Sequence, residues 1–257
     1  MRISTQFGIA IFKIARKVLS ILGHNISLSN NSISYPELTE TEKLLINRIH
    51  ADGITMTSIE SLHTLAIASK YLRDNKIEGD VVETGVWRGG SALICASFLR
   101  SDQELYLYDT FSGMTKPGEF DYRIGQNNNA ITLDKWKDLS EGSEWVSASI
   151  NEVIKNFKKY NLLSNAIKFV EGNVEDTLKS KATPDKVSLV RIDTDFYAST
   201  KVALEIFWPK LSKKGILILD DYGHWDGARR ATDEYFQDNQ QLMIPISGGG
   251  GRIIVKI

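Results

Sequence analysis

GDVVETGVWRGGSALICASFL, residues 79–99, reads as a β-strand, a glycine-containing turn and a helix. Gly85 can take a positive φ and bring backbone close to a ligand, while Gly89 and Gly90 let the helix begin near the sheet. Downstream, short β-rich runs alternate with helical ones: ELYLYD (104–109), INEVIKNFKKY (150–160), AIKFVEG (166–172), VSLVRID (187–193), TKVALEIFWPKL (200–211) and GILILDD (215–221). Such alternation predicts an α/β fold with a doubly wound, mostly parallel sheet. A helix near 228–236 then leads to QLMIPI (241–246) and RIIVKI (252–257), whose short SGGGG connection predicts an antiparallel hairpin at the sheet edge. Thr110 to Val146 breaks the alternation, and a loop of that length in a compact domain is expected to be a lid, a binding loop or disordered.

The chain of 257 residues, 42% hydrophobic and 25% charged, has the composition of an ordinary globular protein. Its formal net charge of -1 gives no support for a nucleic-acid partner, and small-molecule ligands fit better. Cys95 is the single cysteine, which excludes an internal disulfide and a thiolate zinc site. FGIAIFKIARKVLSIL (7–22) is interrupted by Lys13, Arg16 and Lys17, so it is read as an amphipathic helix and not a membrane span. Such a helix suits packing in a homodimer or higher homo-oligomer, with peripheral membrane contact as the other use. Residues 1–50 are expected to form a helical extension and 51–257 the main domain, with the cytoplasm as the expected compartment.

Two acidic pairs, Asp193 with Asp195 and Asp220 with Asp221, follow the apolar runs VSLVRI and GILIL. Strand tips of an open parallel sheet face one crevice, so these carboxylates are expected to converge on a pocket. Mutually repelling carboxylates need a cation or protons to balance them, and Mg²⁺ suits an oxygen-rich site. Each aspartate taken singly is equally a turn former or helix cap.

Glu83 adds a carboxylate at the first strand tip, and Asp109, at the end of the second strand, is placed to accept hydrogen bonds from ribose hydroxyls. The dinucleotide fingerprint G-x-G-x-x-G fails because Trp87 fills its middle position, and no phosphate loop is present. One early glycine with these acids suits adenosine carrying an amino-acid tail, which describes S-adenosylmethionine.

ETGVWRGG (83–90), YDTFSG (108–113), RIDTDFYAST (191–200) and ILDDY (218–222) resemble the macrocin O-methyltransferase family, metal-dependent sugar O-methyltransferases of macrolide and aminocoumarin pathways. The resemblance covers roughly residues 50–240 and implies the class I methyltransferase version of the Rossmann-like fold. It implies Asp193, Asp220 and Asp221 as Mg²⁺ ligands and Asp195 as general base. The S-adenosylmethionine pocket would draw on Thr55, Met56, Glu83, Thr84, Gly85, Val86, Trp87, Asp109, Thr110, Phe111, Ser112, Gly113, Asn173, Arg191 and Ile192. The chain departs from the family at Thr194 and Phe196, where glycine and leucine are usual, and in the 110–146 loop.

A small-molecule glycoside or saccharide hydroxyl is the implied acceptor, with catechol-like vicinal diols a close variant. Asp195 has a competing reading as N-cap of the following helix, and His224 one as the base. A dinucleotide-dependent oxidoreductase and a non-catalytic assembly module are the alternative classes.

Overall fold

Parallel strands buried on both faces read as unbroken apolar runs, and those runs become the centre of a seven-stranded sheet. A computed structural model of the protein describes residues 34–142, 144–180 and 183–257. The amphipathic segment 7–22 lies outside them. The strands are β1 (Asp80–Thr84), β2 (Leu105–Asp109), β3 (Ile167–Glu171), β4 (Val187–Ile192), β5 (Leu211–Leu219), β6 (Ile244–Pro245) and β7 (Arg252–Val255), in spatial order β3-β2-β1-β4-β5-β7-β6. The first five are mutually parallel, and β7 runs antiparallel to both β5 and β6. The expected α/β doubly wound sheet and its antiparallel edge are both present, although β6 keeps only two residues of the QLMIPI run.

The described helices are α1 (Glu40–Ala51), α2 (Ile59–Asp74), α3 (Gly90–Ser97), α4 (Ala130–Asp138), α5 (Ile150–Lys159), α6 (Val174–Ser180), α7 (Tyr197–Lys210) and α8 (Asp226–Phe236). One compact unit, Glu37–Ile257, holds all of them. Thr39 and Glu42 close a capping box at the start of α1, and Ser58 caps α2 by accepting from the Ser61 N–H.

All six residues of β4 are buried, and Val190, Ile192, Val202, Leu204, Phe207 and Leu217 are among the side chains that pack together around it. Inside that apolar run sits a charge: Arg191 is 1% exposed and stands in register with Glu83 of β1, itself fully buried. The chain leaves β1 toward β2 on one side and meets β4 on the other, which opens a crevice at the carboxyl ends of β1 and β4.

The turn after β1 depends on glycine at one position. Gly85 has φ +81°, and a Cβ there would lie 1.8 Å from the carbonyl oxygen of Asp193. Only a residue without a side chain lets the β1 and β4 tips come this close.

Candidate functional site

The sheet ladder extends past the strand ends and so fixes the acidic residues. The Asp193 N–H donates to the Thr84 carbonyl and the Asp220 N–H to the Ile192 carbonyl, each at 2.9 Å. Adjacent strand tips therefore carry Asp193 and the Asp220–Asp221 pair side by side. One carboxylate oxygen from each of the three lies within 4.8 Å of the others. Asp195 joins them after a sharp turn: its φ is +61°, and its N–H donates to Asp221 Oδ2 at 3.0 Å.

Beneath this cluster the Arg191 guanidinium holds three carboxylates together. It reaches Glu83 at 2.6 Å, Asp193 at 2.7 Å and Asp220 at 2.9 Å, and donates to Thr57 Oγ1 at 2.9 Å. Glu83 also accepts from Ser91 Oγ at 2.5 Å, while its second oxygen, Oε2, is buried without a partner among the described residues. One cation does not balance five acids. Burial pushes the Asp193 carboxyl well above the usual range against the pull of Arg191, and repulsion from Asp220 and Asp221 adds to the rise. Burial does the same to Asp221, reinforced by Asp195 and Asp220. Asp195 is pushed up to about 6, chiefly by burial, with a side-chain hydrogen bond to Asp221 opposing.

The cluster opens into a cavity of about 410 Å³, within the size range of ordinary ligand sites. Of the residues expected from the sequence, Thr55, Met56, Gly85, Val86, Trp87, Asp109, Thr110, Gly113, Asp193, Asp195, Asp220 and Asp221 line it. Glu83, Thr84, Arg191 and Ile192 are buried behind that wall. Phe111 packs in the core, with its ring centroid 6.3 Å from that of Phe169, and Ser112 and Asn173 are exposed and not among the lining residues. Asp109 is on the wall but already engaged: it accepts from the N–H groups of Val86 at 2.6 Å, Trp87 at 2.9 Å and Phe111 at 2.8 Å. It thereby ties the turn after β1 to the turn after β2.

Asp195 does not cap α7. The first helical N–H, that of Tyr197, donates to Asp121 Oδ1 at 2.7 Å, and Asp121 comes from the 110–146 loop. That loop builds the cavity's other side. Trp136 Nε1 donates to the Met114 carbonyl at 3.0 Å, and Trp145 packs against Phe196 and Trp225 with ring centroids 6.3 Å away in each case. Through it Met114, Thr115, Arg123, Lys135, Trp145 and Val146 reach the lining, none of which the sequence motifs single out. The loop's unusual length was the one available signal. His224 also lines the cavity, exposed, from the turn after β5. His63 is a buried packing residue whose Nδ1 lies 2.7 Å from the Ile59 carbonyl oxygen.

The model of the family Macrocin-O-methyltransferase (TylF) matches residues 19–248. Among curated relatives, demethyldecarbamoylnovobiocin O-methyltransferase of Streptomyces niveus is 33% identical over 189 residues, 72% of this chain and 68% of that protein. The 8-demethyl-8-(2,3-dimethoxy-alpha-L-rhamnosyl)-tetracenomycin-C 4'-O-methyltransferase of Streptomyces olivaceus is 32% identical over 185 residues, 70% of this chain and 67% of that protein. The solved structure of the O-methyltransferase NovP superimposes with a TM-score of 0.68 at 31% identity, covering 79% of this chain and 81% of that one.

Proposed function

The chain belongs to the Macrocin-O-methyltransferase family and is an O-methyltransferase, and from that premise we propose that it methylates a sugar hydroxyl of a glycosylated natural product or surface polysaccharide, using S-adenosylmethionine and Mg²⁺. The observation that carries this reading is the approach of Asp193, Asp220 and Asp221 to within 4.8 Å at the wall of a 410 Å³ cavity.

The residues present fit both groups. Three oxygens on one side of an open cavity suit a hard cation that keeps some positions for water or substrate, and such a cation would offset the mutual repulsion that adds to burial in raising the Asp193 and Asp221 carboxyls. For the methyl donor, Ile54, Val86 and Trp87 offer apolar wall, while Thr55 offers a hydroxyl and Asp109 the acceptor capacity left beside its three backbone bonds. When bound, Mg²⁺ supplies Lewis-acid polarisation of an acceptor oxygen, and S-adenosylmethionine supplies an electrophilic methyl group.

The chain's own residues do the rest. Arg191 holds Asp193 and Asp220 from below, so both carboxylates are oriented before any ligand arrives. Asp195 is the base: it lines the cavity beside the three ligand carboxylates, and burial holds its carboxyl above the ordinary range, which makes it a better acceptor for the hydroxyl proton. Its left-handed turn, held by the bond to Asp221, aims it at the same space as the metal ligands. Trp145 and Trp225, both buried, form an apolar wall on that side of the cavity.

The test is methyl transfer from labelled S-adenosylmethionine to a glycoside panel, before and after chelation and with Mg²⁺ restored. The reading expects transfer that chelation abolishes and Mg²⁺ restores. Full activity in chelator would remove the metal from the account, and no transfer to any glycoside alongside transfer to a catechol would replace the acceptor class.

A further inference from the structure

We propose that the acceptor sugar carries an anionic group, a carboxylate or a phosphate, and that Arg123 and Lys135 recognise it. This deepens the sugar O-methyltransferase reading and rests on it.

The observation is a pair of cations stacked on tryptophan faces at the cavity wall. The Arg123 guanidinium lies 4.3 Å from the ring centroid of Trp225, and Lys135 Nζ lies 4.4 Å from that of Trp145. The two indoles are neighbours with centroids 6.3 Å apart, and all four residues line the cavity. Neither cation forms an ion pair among the described residues; Arg48, Lys201, Arg252 and Lys256 also lie over aromatic rings without one, but of these six only Arg123 and Lys135 line the cavity. Arg88 lies over Trp87 but also pairs with Glu152 at 3.0 Å, and Arg73 lies over Phe98 but pairs with Asp74 at 2.9 Å. A ring face attracts a cation without using its N–H donors, so these two side chains are held in place with their hydrogen-bonding capacity unspent.

The scaffold under them is built. Arg123 forms a backbone bridge with Trp225, and the next residue's N–H, that of Ile124, donates to the His224 carbonyl at 2.9 Å. Lys135 stands on α4, whose neighbouring Trp136 is bonded to Met114. Charge consequently changes sign along the cavity: carboxylates of Asp193, Asp195, Asp220 and Asp221 at the strand tips, then cations on the tryptophan wall. Arg123 also faces Asp195, while Glu175 and Asp109 line the cavity as well. A hydroxyl placed at Asp195 by a saccharide leaves its substituents beside two cations whose side-chain donors make no hydrogen bond among the described residues. An anionic substituent would satisfy both through charge-assisted hydrogen bonds.

The test titrates the full chain, loaded with S-adenosylhomocysteine and Mg²⁺, with glucose, glucuronic acid and glucose 1-phosphate, reading binding by calorimetry. At least one anion should bind roughly tenfold or more tighter than glucose, the order expected of a charge-assisted hydrogen bond, and the advantage should shrink as salt is added. The carboxylate and phosphate arms tell which source the site takes. Arg123→Gln and Lys135→Gln should each erase most of the advantage, and Arg123→Lys should keep part of it, with S-adenosylhomocysteine affinity unchanged in all three. Equal affinity for the three sugars, no binding of either anion, or variants that discriminate like the parent would overturn the acceptor class alone. A parent protein that fails to bind S-adenosylhomocysteine would overturn the methyltransferase reading and this proposal with it.

Discussion

Replacing Arg191 with methionine removes the one cation buried under the acidic cluster while keeping most of the side chain's volume. Arg191 is 1% exposed and Glu83 is 0% exposed, so water cannot take over the lost interaction. Breaking a buried ion pair from one side costs about 3–5 kcal/mol, because the partner remains as an uncompensated charge. For a domain of this size that corresponds to a fall in melting temperature of roughly 6–20 °C. The assay is thermal unfolding followed by circular dichroism in metal-free buffer from pH 5 to 8. Burial already pushes the Glu83 carboxyl above its ordinary value, with Arg191 opposing, so the variant raises it further. A folded-state pKa above the unfolded one gives stability that is complete below the unfolded value and is lost as pH rises through the folded value. The variant should therefore be least stable at pH 8 and recover toward pH 5. Adding Glu83→Gln should restore much of the loss and flatten its pH dependence. A melting temperature equal to the parent's at all pH values would refute the view that Arg191 carries the cluster's charge.

Asp195→Asn should lower kcat by about 10²–10⁴-fold, the range for losing a general base, with metal affinity nearly unchanged; a normal kcat would leave Asp195 a turn residue only. Gly85→Ala should cost more than about 2 kcal/mol, since it combines a left-handed φ with a Cβ 1.8 Å from the Asp193 oxygen. Denaturant unfolding with an unchanged midpoint would contradict that. Asp121→Ala should cost about 1 kcal/mol through loss of the α7 cap, and an unaltered melting temperature would show that the Tyr197 N–H finds another acceptor.

The sheet was legible because parallel strands and their helices carry different periodicities, and runs such as VSLVRI have no polar face to confuse them. The Asp193 and Asp220–Asp221 convergence was legible for a related reason: residues just past strand ends must share an edge, whatever their separation in the chain. Arg191 was read as a pocket residue beside the metal, but its place beneath the acids follows from the β1–β4 register, which pairs Glu83 with Arg191 and which no local pattern encodes. The competing reading of Asp195 as a helix cap failed for the same kind of reason. Asp121, 76 residues earlier in the chain, reaches the Tyr197 N–H first. Arg123, Lys135 and Trp145 were hidden in a loop whose length signalled function, while its contacts with Phe196 and Trp225 are tertiary and leave no mark in the loop's own residues.

The central claim is that Asp193, Asp220 and Asp221 hold a divalent ion beside the cofactor cavity. Anomalous diffraction from crystals grown with Mn²⁺ in place of Mg²⁺ tests it most directly. The account predicts one strong peak within bonding distance of all three carboxylates, absent from Asp193→Ala crystals. A map without a peak there, or with its only peak elsewhere on the protein, would contradict it.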